Sequence, residues 1–247
     1  MNLLLVHATE LDDAGLVTLE DRRAQHALEV LHVRVGSTLK VGLLDGPLGQ
    51  AEVVEQQDNR LRLRCQFAQE VPEAPGDVLL LAMPRPKVLA RCLEHAASLG
   101  FGSVIIFRSQ QCVKSHFDSH VLEPEQLRAR LIAGLEQARR THIPQLKVFR
   151  RFRPFIEDEL ASVITATNHF LADADAPLPL HQMHGGGMSR GPFTVVIGPE
   201  GGLIPYETAT FAERNFKLVN AGPHPLRVEA ALSAITAQLQ LLRDLSQ

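Results

Sequence analysis

Hydrophobic and polar positions follow two different rhythms along the 247 residues. Up to about Glu73 the rhythm is mostly that of strands. Arg60-Leu61-Arg62-Leu63-Arg64-Cys65-Gln66-Phe67 alternates polar and apolar with period two, and Leu39 to Leu44 runs into the turn sequence Asp45-Gly46-Pro47. The apolar start, Leu3-Leu4-Leu5-Val6, reads as a first strand. One helix interrupts the strands: Asp21 to His32 places Ala24, Leu28 and Leu31 at helical spacing behind an Asp21 N-cap. Short strands around a single helix predict a small β-barrel module over residues 1–73. Val71-Pro72-Glu73-Ala74-Pro75-Gly76 then has two prolines, a glycine and no periodicity, which marks a linker.

Beyond the linker, strand and helix alternate. Strands are expected at Val78 to Met83, Ser103 to Phe107, Leu146 to Phe149, His169 to Ala172, Thr194 to Ile197 and Lys217 to Val219. Helices are expected at Lys87 to Leu99, Pro124 to Arg140, Tyr206 to Glu213 and Val228 to Leu245. This alternation predicts an α/β domain with a mainly parallel sheet over residues 74–247.

Composition excludes several classes. With 25 basic against 28 acidic side chains, the net charge of −3 rules out a bulk polycation that coats nucleic acid through excess charge. Cys65, Cys92 and Cys112 are isolated, without CxxC pairs or histidines at zinc-ligand spacing, so neither a disulfide framework nor a zinc site is expected. No basic leader precedes the first strand, and the longest apolar runs are much shorter than the roughly 20 residues that span a bilayer. A soluble, cytoplasmic protein without a membrane partner or bound metal is expected. The charge is unevenly placed, however. Residues 128–153 carry 8 basic side chains, seven of them arginine, against the single acid Glu136. Arginine forks pair with phosphate bidentately, which suits a nucleic-acid contact as well as a solvated face.

Two loops stand out. Thr194-Val195-Val196-Ile197 enters Gly198-Pro199-Glu200-Gly201-Gly202, and a helix starts near Pro205, where a missing N–H costs nothing. Val219-Asn220 enters Ala221-Gly222-Pro223-His224-Pro225-Leu226-Arg227 and leaves as a long apolar helix carrying Glu229 in its first turn. Glycines permit close backbone approach to a ligand, and open α/β sheets hold ligands at the carboxyl ends of their strands. A tight structural turn explains the glycines equally well, and neither phosphate-loop fingerprint is present. Arg227 opposes the helix dipole and so calls for a partner. His181 and His184, beside Gly185-Gly186-Gly187, read as a surface loop rather than a metal site.

Together these residues resemble the SPOUT methyltransferases, specifically the ribosomal RNA small-subunit methyltransferase E family. The Ile197 to Gly202 loop and Leu226-Arg227-Val228-Glu229-Ala230 carry the resemblance, with Val228 and Ala230 where the family has threonines. So do Val30-Leu31-His32-Val33-Arg34-Val35-Gly36 with Leu44-Asp45-Gly46, Leu81-Ala82-Met83-Pro84-Arg85-Pro86-Lys87, Leu99-Gly100, and Glu136-Gln137-Ala138-Arg139-Arg140 before Ile143-Pro144. The resemblance implies a PUA-like N-terminal barrel and an α/β domain with a trefoil knot. It also implies a homodimer and methylation of N3 of one uridine in 16S rRNA, free or in the 30S subunit, from S-adenosylmethionine (SAM). Leu171, Ala172, Ile197, Gly198, Pro199, Glu200, Gly201, Gly202, Ala221, Gly222, Pro223 and Leu226 would line the cofactor. Arg227 would stabilise the uridine anion and Glu229 would order the loop. Arg34, Arg85, Lys87, Arg139 and Arg140 would contact RNA. The alternative is a noncatalytic RNA-binding or ribosome-assembly factor on a degenerate fold.

Overall fold

Period-two alternation in the first 74 residues produces an open five-stranded sheet. In the computed structural model, which describes residues 2–164, 166–183 and 190–245, its strands are β1 (Leu4–Val6), β2 (Leu16–Leu19), β3 (Thr38–Leu43), β4 (Leu48–Gln57) and β5 (Arg60–Phe67), in the order β1-β3-β4-β5-β2. β1 runs parallel to β3 and the other pairings are antiparallel. Leu61 and Leu63 face the core while Arg60 and Arg64 face outward, as the alternation requires. Gly49 is obligatory, because a Cβ there would lie 2.1 Å from the Gln66 carbonyl on the neighbouring strand. Helix α1 (Arg22–Glu29) is capped by Asp21, which accepts from the Arg23 N–H at 2.8 Å, and it buries Ala24 and Ala27 against the sheet.

Inside this unit sits a charged residue that periodicity does not explain. Arg23 is 9% exposed and donates to the Leu5 carbonyl (2.8 Å), to Asp21 and to both oxygens of Glu10. Burial alone would raise the Glu10 carboxyl, but the Arg23 hydrogen bonds and the His7 N–H overcome it and hold the group below its ordinary range. A buried cation with every donor used is stable where an unpaired one would not be.

The chain divides into two compact units, Met1–Ala74 with Ile132–Ile143, and Pro75–Leu131 with Pro144–Gln247. In the first, the Glu136 carboxylate is held by Arg22 at 2.9 Å and the buried Thr141 hydroxyl donates to the Gly46 carbonyl at 2.7 Å.

The second unit is an all-parallel six-stranded sheet: β6 (Val78–Ala82), β7 (Ser103–Phe107), β8 (Gln145–Phe149), β9 (Asn168–Ala172), β10 (Phe193–Ile197) and β11 (Lys217–Val219), in the order β11-β9-β10-β6-β7-β8. β6 and β10 are buried at every position, which is why they read as continuous apolar runs. Helices α2 (Pro86–Leu99) and α7 (Val228–Leu245) pack on each other, and α7 packs on β10. Helix α3 (Pro124–Ala138) stops two residues before the expected Arg140, because Arg139 turns left-handed at φ 57° and the Arg140 N–H returns to the Leu135 carbonyl. The remaining α-helices among the described residues are α4 (Phe152–Pro154), α5 (Leu160–Val163) and α6 (Pro205–Ala212), with a π-helical turn Phe155–Glu159 between α4 and α5. Phe155, Ile156 and Leu160 from the segment after β8 and Phe211 from α6 fill one face of the sheet with Leu80, Phe107 and Val196. At the amino edge, Asp77 accepts from the Phe193 N–H (3.1 Å) and pairs with Arg243 at 2.8 Å. No helix among the described residues is long and apolar enough to cross a membrane.

Candidate active site at the carboxyl edge of the sheet

Because all six strands of the second unit run the same way, every loop that follows a strand emerges on one edge. The two loops singled out in the sequence follow β10 and β11, and β9 lies between these strands. The ends of β9, Leu171 and Ala172, therefore stand between the two loops.

The first loop is held by its own hydrogen bonds. The Gly202 N–H donates to the Pro199 carbonyl at 2.8 Å, with Gly202 at φ 73°. The Glu207 carboxylate, 2% exposed, accepts from the Ile204 N–H at 3.1 Å and from the Gln110 N–H in the loop after β7 at 2.8 Å. A glutamate at the third position of a helix begun by Pro205 is a capping signature that is present in the sequence and is recognised only once the helix start is seen. Glu200 reaches the other way and accepts from the Arg85 N–H at 3.1 Å.

The second loop is tied through Asn220, whose side chain donates to the Ala176 carbonyl at 2.7 Å and accepts from the Gly222 N–H at 3.1 Å. The Gln238 amide holds the Ala221 carbonyl at 2.9 Å. Beyond that point Pro223 to Arg227 are exposed, including the apolar Leu226. Gly222 adopts φ 146°, and a Cβ on either Gly202 or Gly222 would meet nothing within 4 Å, so both glycines border open space.

Helix α2 joins the two loops. Its N-cap, Arg85, holds Glu200, and one turn and a half further on Arg91 pairs with Glu229 at 2.8 Å. Its own backbone N–H and then the Arg91 guanidinium hold the Glu229 carboxyl below the usual range, with Arg227 adding to the effect. Between these carboxylates lies Cys92, whose thiol is pushed up to about 12 by burial and by Glu229 and so stays protonated and unreactive. His95 and Ser233 are hydrogen-bonded at 2.9 Å, and Ser233 donates to the Glu229 carbonyl, which fixes α2 to the first turns of α7. Arg91, Asn220 and Gln238 were missed by sequence reasoning; Arg91 and Gln238 act on residues distant in the chain, and so does the Asn220 amide that holds the Ala176 carbonyl, so their spacing carries no local signal of these contacts.

The structure thus brings the residues from Leu171 to Leu226 that were expected to line a ligand onto one edge, together with Arg85, Lys87, Arg227 and Glu229. Arg34, Arg139 and Arg140 are exposed residues of the other unit. The basic stretch is likewise divided. Arg130 pairs with Glu94 at 2.8 Å, Lys147 lies on β8, and Arg150, Arg151 and Arg153 follow that strand. His184 and Gly185 to Gly187 lie outside the described residues, among which no cluster of metal-ligating side chains occurs.

An all-parallel sheet with Gly-Pro loops on its carboxyl edge defines the class of open α/β proteins that hold ligands at that edge, and the comparisons name the family. Residues 72–240 match the RNA methyltransferase domain, and the chain belongs to that family. Over nearly its full length it is similar to ribosomal RNA small subunit methyltransferase E of Treponema pallidum, with 26% identity covering 96% of this chain and 90% of the relative. Ribosomal RNA small subunit methyltransferase E 1 of Borreliella burgdorferi is 24% identical, with 95% of each chain covered. The fold is shared with a Legionella pneumophila methyltransferase solved with bound SAM (TM-score 0.76, 20% identity, 97% of each chain). It is shared also with the Neisseria gonorrhoeae ribosomal RNA small subunit methyltransferase E bound to SAM (TM-score 0.74, 20% identity, covering 97% of this chain and 98% of that one).

Proposed function

We propose that the chain transfers the methyl group of SAM to N3 of a uridine in 16S rRNA during maturation of the small subunit. The observation that carries this reading is the convergence of the β9, β10 and β11 ends with Arg227 and Glu229 on one sheet edge, in a chain of the RNA methyltransferase domain family. The residues present suit the cofactor. Gly202 and Gly222 leave room for close backbone approach, Leu226 offers an exposed apolar contact, and Glu200 is already engaged with Arg85. Leu171, Ala172, Ile197 to Gly202, Ala221 to Pro223 and Leu226 would hold it, and when bound it supplies an electrophilic methyl group.

The protein's own part is electrostatic. Uridine N3 attacks only after losing its proton, so the site must favour the uridine anion and aim N3 along the line of transfer. Arg227 is the exposed cation at the head of α7, and Glu229 is drawn to Arg91, which leaves the Arg227 guanidinium to face substrate. In this reading the first unit is a PUA-like RNA-binding barrel, with Arg34, Arg139 and Arg140 on phosphate and Arg85 and Lys87 beside the site. The second unit carries the trefoil knot, and the working form is a homodimer.

Arg227→Ala is expected to lower kcat by about 10²–10³-fold, the usual loss for one charge-stabilising donor, while calorimetry finds SAM affinity within a few-fold of the parent. Unchanged turnover contradicts the role of Arg227. Absence of SAM binding in the parent chain favours the noncatalytic assembly factor instead.

A further inference from the structure

On the face of the sheet covered by α4, the π-helical turn and α6, an open cavity of about 210 Å³ lies between Phe152 and Ile156 on one side and Tyr206 and Thr210 on the other. Tyr206 is the chain's one tyrosine, and the chain has no tryptophan. It is 52% exposed, so its ring does little for the core. Phe152 meets it edge-on, with centroids 6.3 Å apart at 64°, and Phe152 rests in turn on the buried Phe107 and Phe211. An aromatic ring is thereby presented to solvent on a rigid aromatic base.

Glu157 and Glu213 line the cavity with Arg153 and Arg214, so the cavity itself is close to neutral. Arg214 is spent on the Thr210 carbonyl at 2.8 Å. At the carboxyl end of β8, Arg150, Arg151 and Arg153 stand within four residues, and Arg153 among them lines the cavity. Arg153 lines the cavity with Tyr206 and lies 3.7 Å from Glu157, while Arg150 is 3.8 Å from Asp118 and covers the Phe117 ring. Arg151 makes no ion pair with a described residue. Exposed pairs at such separations are worth little and are readily exchanged for a phosphate. A neutral, aromatic-lined hollow bordered by arginines matches a nucleotide, whose base is uncharged and whose phosphate is not.

We propose that this surface is an RNA subsite that stacks one unpaired base on Tyr206 and holds the adjoining phosphates with Arg151 and Arg153. The proposal rests on the RNA-methyltransferase reading and adds to it a contact outside the methyl-transfer crevice, made by different residues. It explains why a tyrosine stands exposed beside the first Gly-Pro loop, where the helix itself needs no aromatic side chain.

With one tyrosine and no tryptophan, emission excited beyond the phenylalanine absorption band reports on this ring alone. Titration of the full chain with a ten-residue oligouridylate is expected to quench that emission saturably, and an abasic oligonucleotide of equal length is expected to quench it far less. Binding followed by anisotropy of the labelled oligouridylate should weaken about 5- to 150-fold in Tyr206→Ala, the range for loss of one stacked base, and stay within about twofold in Tyr206→Phe. Arg151→Ala should reduce the salt dependence of binding by about one phosphate contact. Oligouridylate that binds without changing tyrosine emission, or that binds Tyr206→Ala as tightly as the parent, overturns the subsite even if the chain binds SAM and methylates rRNA. Quenching by oligouridylate in a chain that transfers no methyl group keeps the subsite and overturns the enzymatic reading.

Discussion

The two Gly-Pro loops begin alike and end differently. Each leaves a parallel strand and enters a helix, yet the loop after β10 is closed by a buried glutamate. Among the described residues, the loop after β11 is tied at its start, by Asn220 and Gln238, and then runs exposed to Arg227. The first has the character of a fixed wall, since Glu207 accepts from the Ile204 and Gln110 N–H groups and so ties two separate loops together. The second carries Arg227, the residue proposed to face substrate, on its exposed part. A fixed wall beside an exposed, charged tip suits the proposed site, which would grip a small cofactor and admit a large RNA.

The comparison breaks most severely at Glu207. Glu207→Ala strands the Ile204 and Gln110 N–H groups, and it should cost about 3 kcal/mol. That corresponds to about 6–12 °C in Tm for a protein of this size, with SAM affinity falling alongside. Thermal unfolding with and without SAM checks both. Gly222→Ala acts on the other loop through the backbone alone: φ 146° strains any residue with a Cβ, at about 1–2 kcal/mol. Because that loop has few other restraints, the strain should appear as about a fivefold or greater loss of SAM affinity in calorimetry, with Tm nearly unchanged.

How far these features could be read in advance depends on how local their causes are. The six parallel strands of the second unit and the helices α2, α3, α6 and α7 were legible, because each is specified by its own run of β-branched or periodic apolar residues. The order β11-β9-β10-β6-β7-β8 was not, since pairing of Phe193 to Ile197 with both Val78 to Leu81 and Asn168 to Ala172 is decided by packing between distant segments. The helical segment after β8 was missed because Pro154 and the acidic run Glu157-Asp158-Glu159 mask the spacing of Phe152, Phe155, Ile156 and Leu160. The same holds for the site. Its glycine loops, Arg227 and Glu229 announced themselves, while Arg91 gives no sign in the sequence that Glu229, on another helix, is its partner. Nor does the sequence around Ile132 to Ile143 show a break where those residues join the first unit.

The smallest expected effect concerns that Arg91–Glu229 link between α2 and the second loop. Arg91 is half exposed, so the pair should contribute below about 1 kcal/mol near neutral pH. Glu229 titrates lower when folded than when unfolded, so this contribution is present above the ordinary carboxylate range and is lost as pH falls through the lowered value. Urea midpoints of the parent and Glu229→Gln should therefore differ slightly at pH 7 and converge in acid; a gap that widens as pH falls contradicts the assignment. The Arg23 cluster of the first unit has the same sign through Glu10 and Asp21, with a larger expected loss because the cation it shelters is buried.

The central claim is methyl transfer to uridine N3 in small-subunit rRNA, and nucleoside mass spectrometry of 16S rRNA from cells with and without the gene tests it most directly. Loss of N3-methyluridine in the deletion strain, restored by the parent gene and not by Arg227→Ala, is the expected result. Persistence of the modified uridine without the gene contradicts the account.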